Sequence, residues 1–250
     1  MRSVFVILKK EIFSFRKNFI GKLSLWFFFP LILFAVLGLP LYKLVHEVNG
    51  LNYLHWAAPG IWMASAFITT YITSFQRNNY LVTTTHVLEV FLKAPVSIWS
   101  LQTAMAIWAV ISGMLQLLLA LLLIGLINHE IYTLVKWIEI YVSILPIIIF
   151  AAVLGNFFGF WVRNSINATY LNTVIILLFV FSTGIFIPFT YFPESFISAI
   201  QILPIIQCIN AVQDLVIYSN ISLSGAFILM VFTAFLFLIN GILFQKLIRR

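Results

Sequence analysis

The sequence predicts an all-α membrane protein of six transmembrane helices, preceded by an amphipathic helix at the membrane interface. Three observations lead there. Of 250 residues, 63% are hydrophobic and only 8% charged, too few charges to coat a soluble domain. Charge-poor apolar stretches recur at 23–45, 57–76, 99–127, 135–161, 168–190 and 223–245, and a helix needs ~20 residues to cross a hydrocarbon layer. The basic residues crowd into alternate gaps between these stretches. In lipid an unpaired backbone group finds no water, so each stretch is expected to close its hydrogen bonds internally as an α-helix.

Charge placement orients the chain. With the N-terminus in the cytoplasm, Arg2, Lys9, Lys10, Arg16, Lys17 and Lys22 precede the first span. Arg77 and Lys93 then lie between the second and third spans, Arg163 between the fourth and fifth, and Lys246, Arg249 and Arg250 after the last. Only Lys43 and Lys136 fall on the opposite side. By the positive-inside rule both termini are expected to be cytoplasmic. The net charge of +7 therefore reads as a topology signal. No soluble basic run with interleaved stacking aromatics suggests a nucleic acid partner.

Residues 1–22 form the first unit. Phe5, Leu8, Ile12, Phe15 and Phe19 recur at spacings of three and four, with Lys9, Lys10, Arg16 and Lys17 between them. That pattern predicts a cytoplasmic interfacial helix whose basic side meets anionic headgroups. Residues 23–250 form one six-helix domain. Its first span holds Trp26-Phe27-Phe28-Phe29-Pro30, where proline predicts a kink. The second is expected to begin at Pro59-Gly60, since proline suits a first helical turn, and to end at Gln76-Arg77-Asn78-Asn79. The inner loop 77–98 contains a short helical pattern, Val87 to Pro95, stopped by proline. The fourth span carries Ala151, Gly155 and Gly159 at four-residue spacing, a small-residue face that permits close helix contact. The fifth ends in Ser182-Thr183-Gly184-Ile185-Phe186-Ile187-Pro188. Pro193 and Pro204 then break the apolar segment 189–217 into pieces too short to span. These are expected to be short re-entrant helices on the outer side, before the last span.

The chemistry of an enzyme is not in evidence. Cys208 is the single cysteine, and His46, His55, His86 and His129 are scattered along the chain. Gly21-Lys22 is the only Gly-Lys pair and lacks the rest of a phosphate loop. No HExxH or GxSxG occurs, and the span centres hold no Asp, Glu, Lys, Arg or His for proteolysis or proton coupling. No catalytic residue, cofactor site or metal site is expected on this chain. A protein without its own energy chemistry is best read as the membrane part of a machine driven by another subunit. The alternative is a non-ATP-linked channel or a membrane assembly scaffold.

Four blocks sharpen that reading. They are Ala58-Pro59-Gly60-Ile61; Val87-Leu88-Glu89-Val90-Phe91-Leu92-Lys93-Ala94-Pro95-Val96-Ser97; Ser182 to Pro188 followed by Phe192-Pro193; and Leu203-Pro204 leading to Asn210-Ala211-Val212. In this order, relative to six spans, the chain resembles the membrane (permease) subunit of ABC-2 type exporters over nearly its whole length. The resemblance implies a bacterial inner membrane protein that pairs with a second copy of itself or a homologous permease. It further implies two separate ATPase subunits, which would carry ATP and Mg, and outward movement of an amphiphile (a drug-like molecule, a lipid or a lipid-linked glycan). Val87, Leu88, Glu89, Val90, Phe91, Leu92, Lys93, Ala94 and Pro95 would correspond to the coupling helix that rests on the ATPase. The chain departs from the family pattern at Lys93, often small or polar, and at Gln213-Asp214, where a basic residue often follows the fourth block.

Ser65, Thr69, Thr73 and Gln76 share one face of the second span, and Gln102, Ser112 and Gln116 lie on the third. Phe28, Phe29, Ser65, Thr69, Thr73, Asn172, Ser182, Thr183 and Phe186 are the candidates for a substrate path or a dimer seam. Ser and Thr readily bond their own helix backbone, so the amides are the more telling members of such a set: a lipid-facing amide is costly.

Overall fold

The computed structural model describes residues 2–84, 97–129, 132–220 and 222–248. Helix α1 (Arg2–Lys17) is followed by α2 (Phe19–Leu33), which runs through a π-helical turn (Phe34–Gly38) into α3 (Leu39–Leu44). A two-residue hairpin pairs β1 (Glu47–Val48) with β2 (Leu51–Asn52), antiparallel. Then come α4 (Tyr53–Thr83), α5 (Ile98–Ile127), α6 (Leu134–Trp161) and α7 (Ser165–Ser182). A 3-10 turn (Phe189–Tyr191) leads to α8 (Glu194–Ile200), α9 (Pro204–Tyr218) and α10 (Ser224–Ile248).

Among the described residues, four helical stretches are long and apolar enough to cross a membrane unaided: Phe19–Leu44, Ile98–Ile127, Leu134–Trp161 and Ser224–Gln245. Counting α8 and α9 as one broken span, bent by 99°, makes five. Helix α4 has the length, 31 residues or about 46 Å at helical rise, but carries more Ser, Thr, Tyr and Trp than its neighbours. The reason is its position. Every residue from Trp56 to Ile68 is buried, so α4 is the axis on which the others pack and faces little lipid. Helix α7 stops at Ser182, short of the expected end at 190, because Gly184 takes a left-handed conformation (φ +75°) and turns the chain.

The second span does not begin at Pro59, which lies inside α4. The helix starts at Tyr53, capped by the Asn52 side chain, which accepts from the Leu54 amide at 2.9 Å. The boundary at residue 22 also moves: the break falls at Asn18, and Lys22 is already within α2.

Close approach defines the α4–α6 seam. A Cβ on Gly155 would lie 2.5 Å from the Tyr71 carbonyl oxygen, and one on Gly159 2.7 Å from that of Phe75. The small-residue spacing read from the sequence thus brings two backbones together. Across the seam, Ser74 Oγ donates to the Ala152 carbonyl at 2.7 Å and also lies 2.7 Å from Asn156 Oδ1, while Asn78 Nδ2 donates to Asn156 Oδ1. Asn156 in turn donates to the Gln102 carbonyl on α5 at 3.3 Å, and Gln102 Nε2 to the Phe237 carbonyl on α10 at 3.2 Å. Four helices are thereby joined through buried amides that lipid could not have satisfied.

The first and third sequence blocks meet on the outside of α4. A Cβ on Gly60 would lie 2.6 Å from the Ile185 carbonyl oxygen, and Tyr53 Oη donates to the Phe186 carbonyl at 2.7 Å. In the fourth block Pro204 sits in the first turn of α9. The far end of α9 is held by Lys136 Nζ, which donates to the Leu215 carbonyl at 2.9 Å and pairs with Glu139 at 3.6 Å. Two short helices, α8 and α9, bent by 99° to one another, thus stand where two short helices were expected.

Adding a methyl group at the α4–α6 seam is expected to be costly. Gly155→Ala should destabilise the solubilised protein by about 1–3 kcal/mol. Gly21→Ala, where a Cβ meets nothing within 4 Å, should be neutral or stabilising. Thermal unfolding of the two variants side by side measures the difference.

Candidate functional site

Proline at position 30 cannot donate to the carbonyl four residues back, that of Trp26. Gln116 Nε2 on α5 supplies the missing donor at 3.0 Å. This bond fixes α2 beside α5 while leaving a groove between α2, α4 and α5. The groove has a volume of about 590 Å3. Leu25, Trp26 and Phe29 wall one side, Ile68 and Ile72 the other, and Trp108 the third. A polar row from α4, Thr69, Thr73 and Gln76, runs along it, and Lys22 and Arg77 stand toward one end, with Tyr80 one turn beyond Arg77.

Helix α1 closes that basic end. Glu11, buried to 3% exposure, pairs with Arg77 Nη2 at 2.8 Å, and Arg77 also reaches Ser14 Oγ at 3.5 Å. Phe15 stacks on Trp26 (5.3 Å between ring centroids) and meets Trp108 edge-on (5.8 Å), while Lys22 Nζ lies 5.1 Å from the Phe15 ring. The inward face of α1 is Val4, Ile7 and Glu11, with Ile7 packed in a cluster with Leu81, Leu101, Met105, Phe160 and Phe244. Of the apolar stripe expected at the interface, Phe5, Ile12 and Phe19 are exposed, outside the protein's own packing. The protein-facing side lies one residue earlier in the repeat, where Glu11 points inward to Arg77.

The family model for ABC-2 type transporters matches residues 2–217. The chain is a membrane subunit of that family. Among curated proteins none matches the sequence. The matched region runs from α1 through α9, so it takes in the groove, the α4–α6 seam and the bent helix pair.

Within this ABC-2 subunit the candidate residues separate into three places. Phe29, Thr69 and Thr73 line the groove, whereas Phe28 is turned outward and exposed. Ser65 is fully buried and bonds the Trp62 carbonyl at 3.0 Å. Asn172 accepts from Tyr71 Oη at 2.8 Å, tying α7 to α4. Ser182 ends α7, and Thr183 and Phe186 belong to the turn after it, with Thr183 Oγ1 bonded to the Phe179 carbonyl at 2.5 Å and the buried Phe186 accepting from Tyr53 Oη through its carbonyl. The segment Val87–Pro95 lies outside the described residues. Sequence reasoning did not gather Lys22, Trp26, Arg77 and Trp108 into one site. Its available signal was the face shared by Thr69, Thr73 and Gln76.

Loss of the Glu11 carboxylate should loosen α1. With Glu11→Ala, trypsin is expected to cut at Lys9, Lys10, Arg16 or Lys17 about tenfold faster than in the parent protein, the equivalent of one lost charge-assisted hydrogen bond. Limited proteolysis in detergent reads this directly.

Proposed function

We propose that this ABC-2 subunit is the permease of an ATP-driven exporter, moving an amphiphilic substrate outward across a bacterial inner membrane. The observation that carries the reading is the family match over residues 2–217. The basic residues gathered in alternate gaps favour six spans with both termini in the cytoplasm. On that orientation residues 87–95 face the cytoplasm between the second and third spans, where a separate ATPase subunit could press on them.

The energy source then lies in two ATPase subunits that hold ATP and Mg. A second permease, a copy of this chain or a homologue, completes the assembly. Within residues 1–22, α1 serves as the interfacial helix, and 23–250 as the conducting domain. ATPase closure moves the 87–95 segment, and the push travels through α4 and α5, the helices that flank it. Phe29, Thr69 and Thr73 would meet substrate, and the exposed face of α2, including Phe28, is the natural seam with the second permease. Glu89, Phe91 and Pro95 are the residues assigned to ATPase contact: an apolar insertion plus a charge that sets register.

Affinity purification of the tagged chain from its own cells is expected to retain an ATPase with a phosphate loop. Phe91→Asp should abolish export and ATPase retention while leaving membrane insertion intact. An unchanged export rate in Phe91→Asp, or export by the purified chain alone in vesicles, would overturn the assignment.

A further inference from the structure

We propose that the groove between α2, α4 and α5 binds a net-anionic amphiphile, its phosphodiester headgroup at Lys22 and Arg77 and its acyl chain along the aromatic wall. The inference deepens the proposed function, since it rests on the same membrane placement and names the class of molecule held. Four features point to it.

The first is charge. Lys22 and Arg77 line the same groove, and the only carboxylate paired there among the described residues is Glu11, on Arg77. The local formal balance is one positive charge in excess. Arg77 has five N–H donors, of which Nη2 is engaged by Glu11 and Ser14, so others remain for a second anion. Lys22 faces an aromatic ring, not a carboxylate. A cationic or zwitterionic head leaves that excess unbalanced, and a single phosphodiester charge neutralises it.

The second is the length and character of the wall. From Arg77 back to Ile68 the groove follows α4 for nine residues, about 14 Å at helical rise. Over that distance the wall changes from two cations to Trp26, Phe29, Leu25, Ile68 and Ile72. A site with charge at one end only, and rings and aliphatic carbons beyond it, matches a molecule with a head and a tail. A volume of about 590 Å3 falls in the range typical of small-molecule pockets.

The third is the state of the polar row. The inward-facing hydroxyls of α4 are already satisfied: Ser65, Thr70 and Ser74 bond the carbonyls of Trp62, Ala66 and Ala152. Thr69, Thr73 and Gln76, which face the groove, make no side-chain hydrogen bond among the described residues. Donors left open beside two cations, on a surface otherwise apolar, suit ester and phosphate oxygens.

The fourth is depth. Lys22 stands in the first turn of α2 and Arg77 near the end of α4, on the side where Lys9, Lys10, Arg16 and Lys17 of α1 also lie. On the orientation proposed above, this puts the head at the inner leaflet surface and the tail toward the bilayer centre, the way a membrane lipid already stands.

The test uses the full-length chain, without ATPase, in nanodiscs of zwitterionic lipid. Bromine-labelled phosphatidylglycerol is titrated in, and quenching of tryptophan fluorescence, to which Trp26 and Trp108 contribute, reports occupancy. Labelled phosphatidylglycerol is expected to quench at lower mole fraction than labelled phosphatidylcholine. Lys22→Gln should weaken that preference about tenfold, Lys22→Arg should keep it, and millimolar inorganic phosphate should not displace the lipid. Equal quenching by the two lipids, an unchanged titration in Lys22→Gln, or displacement by inorganic phosphate would each overturn the proposal. Because no ATPase is present, a negative result here leaves the coupling assignment standing, and loss of the coupling assignment leaves this result standing.

Discussion

The distance between α4 and α6 governs the rest of the molecule. Gly155 and Gly159 let α6 lie against the Tyr71 and Phe75 carbonyls, and only at that separation can Ser74, Asn78 and Asn156 reach one another. Dispersion at such a seam accumulates over many atom pairs, and in lipid it replaces the hydrophobic drive that would hold soluble helices together. Once α4 and α6 are locked, Asn156 presents its amide to α5, and Gln102 carries the connection on to α10. Each link satisfies a group that would otherwise be stranded in hydrocarbon, so the seam decides which neighbours can pack.

Around this rigid centre the first span is only loosely attached. Half of the apolar window in α6 is buried, but only 17% of that in the Phe19–Leu44 stretch. The Gln116 amide on the Trp26 carbonyl and aromatic contacts at the α1 end hold the first part of α2, and Phe29, Leu33 and Phe34 pack against the core beyond it. That difference accounts for the groove: a helix held at separate points stands off from its neighbours between them, whereas α6 is zipped to α4 along glycines. The groove's unbonded hydroxyls and its two cations are the chemical counterpart of that gap.

Much of this was legible in the sequence, and the part that was not has a physical cause. Apolar stretches announce helices in lipid, and Gly155 and Gly159 at four-residue spacing announced a close seam. Pro193 and Pro204 announced a broken segment before α10, whereas Pro30 lies inside α2, which continues to Leu33. The start of α4 was misplaced because Pro59 reads as a first-turn proline, while Asn52 seven residues earlier supplies the actual cap. The inward face of α1 was not legible, because nothing in the helix's own periodicity pairs Glu11 with Arg77, 66 residues away in the chain. The groove itself was invisible for the same reason: Lys22, Arg77 and Trp108 come from three helices, and only their packing makes them one surface.

Pro30, the π-helical turn after it and the Gln116 amide together give α2 a joint with a pin. A rod pinned part-way along its length converts a shove at one end into the opposite displacement at the other. Such a lever needs no unwinding, since the carbonyl released by proline is already outside the helical ladder. Moving the Lys22 end of α2 away from α4 would therefore bring its Leu33 end toward it, so the two rims of the groove are bound to move in opposite senses.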